Sequence, residues 1–293
     1  MAWWREHALH WLSQRPRARA GALLAPGSLW LVVFFAVPIL IMLGYSLMPR
    51  GLYGGVERGF TLEHYTRFID PLYLDILRRT LAWSLACTAT CLGLGYPVAY
   101  TIVRSGRWRN LLLLLVVLPF WTSFLVRTFA MIFLMRDTGL INDWLAKLGL
   151  IQHPLTILYT PFAVMVGLVY GFLPFMILPI YASLEKLDRG LLEAAEVLGA
   201  RPAARFRRVT LPLSMPGVVA GCLLVFIPAL GSFLTADLLG GAKQMMIGNL
   251  VQNQFSAARN WPFGSAASFI IMSLILLLLS IYLRAQGRVE AAR

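Results

Sequence analysis

The chain has 293 residues and a formal charge of +13, with 59% hydrophobic and only 13% charged side chains. Ordinary globular chains carry roughly 25% charged residues, and a water-soluble body of this size has no interior large enough to hide so much apolar surface. The basic balance would suggest nucleic acid in a soluble protein, but the positions of the basic residues point to a membrane and to no nucleic-acid partner.

Residues 1–27 form a basic N-terminal segment with Arg5, Arg15, Arg17 and Arg19. Trp3, Trp4 and Trp11 alternate there with Arg5, His7, His10 and Arg15, a pattern expected of a segment lying on the cytoplasmic membrane surface. The apolar stretch that follows is longer than the h-region of a cleaved signal peptide, about 7–15 residues, and has no obvious small-residue cleavage site. It is therefore read as a retained first helix. Charge-free windows run from Ala20 to Pro49, Thr80 to Val103, Asn110 to Val126, Leu148 to Leu184, Val209 to Ala236 and Asn260 to Leu283. A helix needs about 20 mainly apolar residues to cross the hydrocarbon core. An all-α integral membrane protein with six transmembrane helices is predicted, with cores at 28–47, 81–103, 111–135, 157–181, 213–236 and 265–284. Arg127 interrupts the third.

With the N-terminus in the cytoplasm, the transmembrane domain spans 28–284 and leaves a cytoplasmic tail at 285–293. Sixteen of the 26 basic residues then fall on inside segments, nine on outside loops and Arg127 within a window, which is the positive-inside asymmetry of an inner-membrane protein. Pro38, Pro97, Pro119, Pro174, Pro179, Pro216 and Pro228 recur within the windows. Such breaks are tolerated where neighbours or a cavity cover the freed carbonyls, so a moving, cavity-lining bundle is expected. The outside loop Gly51 to Arg79 is expected to hold a short helix near Leu62–Phe68. Cys87, Cys91 and Cys222 lie in apolar windows, without the spacing of a metal site or a disulfide framework. His7, His10, His64 and His153 are scattered, so no metal site and no catalytic constellation is expected.

The inside loop 185–212 departs from its surroundings. Arg189 to Leu198 are strong helix formers stopped by Gly199, and Pro202 suits the first position of a second short helix. Leu192, Ala195, Val197 and Leu198 can pack, while Glu193, Glu196, Arg201, Arg205 and Arg207 face water or a partner. Glu193-Ala194-Ala195-x3-Gly199-x9-Val209-x-Leu211-Pro212 resembles the cytoplasmic signature of bacterial ABC-importer permeases, with Val209 in place of the commoner isoleucine. The resemblance implies the type I permease fold and a docking helix (Glu193, Ala194, Ala195 and Gly199, flanked by Arg201 and Pro212) that enters a cleft on an ATPase subunit. A closer resemblance, from about Phe60 to Ala267, is to the spermidine/putrescine (PotB-type) permease family. It is carried by Leu118 through Arg127, Leu168-Val169-Tyr170, Leu173 through Met176, Ser183 through Asp188, Met215-Pro216-Gly217, Asp237 through Lys243, Ile247-Gly248-Asn249 and Trp261 through Gly264.

That resemblance implies a non-catalytic permease subunit moving polyamines by alternating access. Its implied partners are a second, PotC-type permease, two ATPases and a periplasmic binding protein. The chain has no Gly-x4-Gly-Lys-[Ser/Thr] motif, so no cofactor is expected of its own, with ATP and magnesium bound by the ATPases. A polycation path should offer carboxylates and aromatic faces. Asp237, at the outer end of the fifth helix, is a candidate, with a cap or a partner for Arg127 as its plainer reading. Trp121, Tyr170 and Phe175 are further candidates, with packing or interface anchoring as the alternative. Arg127 is expected to snorkel toward the outer interface or to pair with a carboxylate on the binding protein or partner subunit. Other cargoes (an aminophosphonate, an opine, ferric ion) and a secondary transporter are the rival readings.

Overall fold

The computed structural model describes residues 16–241 and 244–291. Trp3, Trp4 and Trp11, expected on the membrane surface, lie outside them. Among the described residues the chain is helical, its one extended pairing being an isolated bridge between Arg50 and Val56. Five helices are long and apolar enough to cross a bilayer, and a bent helix pair makes six when taken as one broken span. The chain divides into two compact units.

One unit joins the chain up to Phe68 with Gln254 onward. Its first span, α1 (Leu24–Ser46), has none of its apolar window buried within the chain. Its ladder widens to a π-type turn at Val32–Ala36, just ahead of Pro38, which has no N–H to contribute. After α1 the chain folds back. Thr61 N–H donates to Leu47 O at 2.8 Å, and the hydroxyls of Ser46 and Tyr65 bond at 2.8 Å. The short helix expected near Leu62–Phe68 is α2 (Glu63–Phe68). The last span (Trp261–Ala291) packs on both, with the Arg67 guanidinium 5.2 Å from the centre of the Phe263 ring.

The other unit runs from Ile69 to Asn253. Here α3 (Pro71–Arg104) starts well before the apolar core at 81, because Asp70 caps it by accepting from Leu72 N–H at 2.9 Å. Asp75, Arg78 and Arg79, expected in a loop, are therefore helical, and Asp75 pairs with Arg79 at 3.1 Å. The third span breaks between α4 (Arg109–Val117) and α5 (Phe124–Met135). Pro119 opens a 3-10 turn at Leu118–Trp121, Thr122 is extended, and the two arms bend by 92°. The disturbance expected at Arg127 thus lies several residues earlier, where proline removes a ladder donor. A helix α6 (Leu140–Lys147) follows the second arm.

The core of this unit is α3 with α7 (Pro161–Glu185) and α10 (Leu211–Gly231). Gly217 and Gly221 bring α10 against α7. A Cβ on Gly217 would lie 2.5 Å from Pro179 O, and one on Gly221 3.2 Å from Met176 O. Lipid tails are as apolar as leucine, so membrane helices associate by such close small-residue packing. Pro97, Pro174, Pro179, Pro216 and Pro228 lie inside continuous helices, so the breaks expected at them are not seen. The fifth span also ends earlier than the core predicted to 236. It stops at Gly231, and a separate short helix α11 (Leu234–Gly240) follows, then α12 (Ile247–Phe255). Asn249 ties this return together, donating to Phe233 O at 2.9 Å and accepting from Met246 N–H at 3.1 Å.

Candidate functional site

The loop after α7 forms two short helices set against each other. Asp188 caps α8 (Arg189–Val197), accepting from Gly190 N–H at 2.8 Å. At the other end Gly199 adopts φ 76°, a left-handed conformation that glycine reaches without a Cβ penalty. Gly199 N–H donates to Glu196 O at 2.9 Å and Ala200 N–H to Ala195 O at 3.0 Å, the two bonds of a Schellman closure. Arg201 is extended, the conformation that a following proline favours, and Pro202 opens α9 (Pro202–Arg205). A π-type turn, Phe206–Thr210, leads into α10, with Pro212 in its first turn.

Side chains brace this bend to the bundle. Arg205 donates to Glu196 at 2.5 Å, clamping α9 to α8. Phe206 meets Tyr96 and Tyr100 of α3 edge-on, at 5.6 and 5.8 Å between ring centres. The Tyr96 hydroxyl bonds Ser214 on α10 at 2.8 Å. Arg109, at the start of α4, pairs with Glu185 at the end of α7 and lies over the Tyr181 ring. Between these braces is a cleft of about 380 Å³ whose lining includes Tyr100, Arg104, Arg109, Glu185, Glu193 and Glu196. Of the four apolar residues expected to pack, Leu192 and Ala195 are half-buried, but Val197 and Leu198 are 88% and 87% exposed. They form a bare apolar tip at the C-terminal end of α8, just before the Gly199 turn and beside exposed Glu193 and Ala194.

The path candidates separate. Tyr170, midway along α7, and Phe175, about one and a half turns on, belong to an aromatic cluster; Trp121 and Asp237 do not. Phe120 meets Phe175 edge-on at 5.0 Å, and Phe172 lies 6.4 Å from Phe175. Gly171 lets Phe124 approach α7, since a Cβ there would lie 3.1 Å from the Phe124 ring. Into this cluster reaches Arg127, its guanidinium 5.5 Å from Phe120, 5.6 Å from Phe124 and 5.9 Å from Tyr170. Its Nε and Nη1 are buried without a hydrogen-bond partner. The guanidinium thus lies among rings, and no carboxylate among the described residues forms an ion pair with it. Trp121, 76% exposed, stands out from the break itself. Asp237 is exposed on α11 rather than at the end of the fifth helix, and no ion pair joins it to Arg127. In the sequence Phe120 and Phe124 stand out only as members of the motif from Leu118 through Arg127, not as path residues, and Phe172 is not singled out there. The signal available was the Phe124-x2-Arg127 spacing, which puts ring and cation on one helical face.

Helical spans around a braced amphipathic bend define a membrane-embedded transport subunit, and a family profile described as a binding-protein-dependent transport system inner membrane component matches residues 91–290. The chain belongs to this family of ABC-importer permeases, which work with a partner permease, ATPases and a substrate-binding protein. Among individual relatives, the spermidine/putrescine transport system permease protein PotB of Escherichia coli (strain K12) is 46% identical over 257 residues, covering 87% of this chain and 94% of that protein. The sulfoquinovosyl glycerol transport system permease protein SmoG of Agrobacterium fabrum is 29% identical, covering 94% and 92%. A chain of a bacterial alginate ABC transporter, solved in complex with an alginate pentasaccharide-bound periplasmic protein, superposes with TM-score 0.73 over 98% of this chain and 97% of that one. At 18% identity that likeness concerns the fold.

Proposed function

We propose that the chain is the non-catalytic permease subunit of a polyamine importer of the spermidine/putrescine class. It pairs with a PotC-type permease, two ATPases that bind ATP and magnesium, and a periplasmic binding protein. Both termini lie in the cytoplasm, as the basic asymmetry favours. The α8–α9 bend then faces the ATPases, with Glu193, Ala194, Ala195 and Gly199 as the docking element and Arg201 and Pro212 at its flanks. The observation that carries this reading is the bare Val197–Leu198 tip of α8, which Glu196 and Arg205 clamp to α9 and which the following turn ties to α3 through Phe206 on Tyr96. Coupling needs a fixed link to the bundle and a face awaiting cover, and the α8–α9 bend has both. The cargo class is supported by the PotB relatives. Tyr170, Phe175, Trp121 and Asp237 remain the path candidates, the first two on the strength of the shared cluster.

The test is a liposome reconstitution of the whole complex, measuring ATP hydrolysis with different loaded binding proteins. Stimulation by the spermidine- or putrescine-loaded protein, and not by proteins loaded with unrelated solutes, is the expected result. The SmoG likeness favours a second reading, the same machine with a sugar-like cargo. Stimulation confined to a neutral solute would select it.

A further inference from the structure

We infer that the aromatic cluster around Arg127 is a cation subsite, occupied at rest by the protein's own guanidinium and taken over by one ammonium group of the polyamine in transit. This rests on the polycation reading of the cargo given above.

The rings come from three places in the fold: Phe120 from the 3-10 turn before the break, Phe124 from the first turn of α5, and Tyr170 from the middle of α7. All three lie within cation–π distance of one guanidinium. Arginine keeps its charge in proteins and offers five N–H donors, yet Nε and Nη1 are buried with nothing to receive them. No carboxylate among the described residues makes an ion pair with it. A cation fixed by a buried carboxylate would be locked. One held by ring faces alone is exchangeable, because its binding rests on weak attractions that another cation can supply equally well. The site is also open: Tyr170 is 41% and Phe175 37% exposed.

The exchange removes an electrostatic difficulty. A positive charge fixed on the route of a polycation would repel it, whereas a side chain that withdraws as an ammonium enters leaves the cluster with one positive charge before and after. Arg127 is well placed to withdraw. It lies in the first turn of α5 beside the 92° break, so rotation of its long side chain moves the guanidinium without disturbing α7. An anion would be repelled by the negative ring faces, so the subsite selects for cations over anions.

The experiment uses the assembled complex of both permeases and the ATPases in lipid nanodiscs, without the binding protein, and measures binding of radiolabelled spermidine. Arg127→Met, which keeps the length and loses the charge, should tighten binding about tenfold, the scale of losing a competing cation–π occupant. Adding Tyr170→Leu should return affinity to the wild-type level, and Arg127→Lys should stay near it. On the wild-type complex, labelling of Arg127 by phenylglyoxal, read by mass spectrometry, should rise with saturating spermidine but not with sodium chloride of equal ionic strength. Unchanged or weaker binding by assembled Arg127→Met, or flat labelling, overturns the inference. Loss of the partner permease from Arg127→Met but not from Arg127→Lys also overturns it, by making Arg127 an interface ion-pair residue. If no form binds spermidine and the polyamine-loaded binding protein fails to stimulate hydrolysis, the cargo reading falls and takes the subsite with it. Stimulation that survives while Arg127→Met has no effect removes the subsite alone.

Discussion

The α8–α9 bend and the Arg127 cluster are incomplete in opposite ways. The bend satisfies its polar groups locally: Asp188 caps one end, Gly199 and Ala200 close the other, and Glu196 holds Arg205. What it lacks is apolar cover for Val197 and Leu198. The cluster has its apolar surroundings, drawn from segments some fifty residues apart in sequence, and lacks polar partners for Nε and Nη1 of Arg127. Unmet apolar surface on a rigid element fits a lasting protein contact. An unpaired cation among aromatic rings fits exchange with a small mobile charge.

The strongest way to break that comparison is to make the tip polar. Burying a valine and a leucine is worth about 1.5–3 kcal/mol each. The Val197→Asp/Leu198→Asp pair should therefore weaken ATPase docking by more than about a hundredfold. The expected result is a permease that inserts normally but no longer co-purifies with its ATPases and shows no uptake. Retained ATPase would mean the tip is covered by something else. A smaller effect is expected from Glu193→Arg, which reverses the charge beside the tip while leaving Val197 and Leu198 in place. Insertion and ATPase co-purification should persist, with uptake falling roughly tenfold as hydrolysis runs without transport, the scale of one charged contact turned repulsive. Full uptake by a normally expressed variant would count against the docking assignment.

The bend was legible in the sequence because its determinants are local. An acid before a helix, a glycine after it and a proline opening the next segment fix capping and turn geometry within a few residues, and α8, Gly199 and α9 appear where those signals place them. The fate of Val197 and Leu198 was not legible, since composition says that a residue is apolar but not whether a neighbour reaches it. The membrane windows were legible from charge-free runs. Their ends were not, as Asp70 extended α3 outward across charged residues and Gly231 ended α10 short of Asp237. The prolines misled for a physical reason. Inside a packed bundle Pro174, Pro179 and Pro216 lose one ladder bond without losing the helix, while Pro119, followed by an extended Thr122, turns the chain through a large angle. The cluster was the least legible part, because Phe120, Phe124 and Tyr170 meet only once that angle exists.

The smallest effect sharpens the comparison by separating the shape of the bend from its contacts. Gly199 has φ 76° and open space around it, so an added methyl group would touch nothing within 4 Å. Gly199→Ala therefore tests conformation alone, at a cost of roughly 1 kcal/mol for a left-handed alanine. The Schellman bonds should open about five times more often, raising hydrogen exchange at the amides of residue 199 and Ala200 by that factor. Uptake should fall less than about twofold, since the Arg205–Glu196 clamp and the packing of Phe206 on Tyr96 stay in place and still tie α8 through α9 to the bundle. If this methyl group instead abolished uptake as thoroughly as two aspartates at the tip, a partner surface would have to press directly on Gly199, and the contact face of the bend would have to be redrawn around the turn.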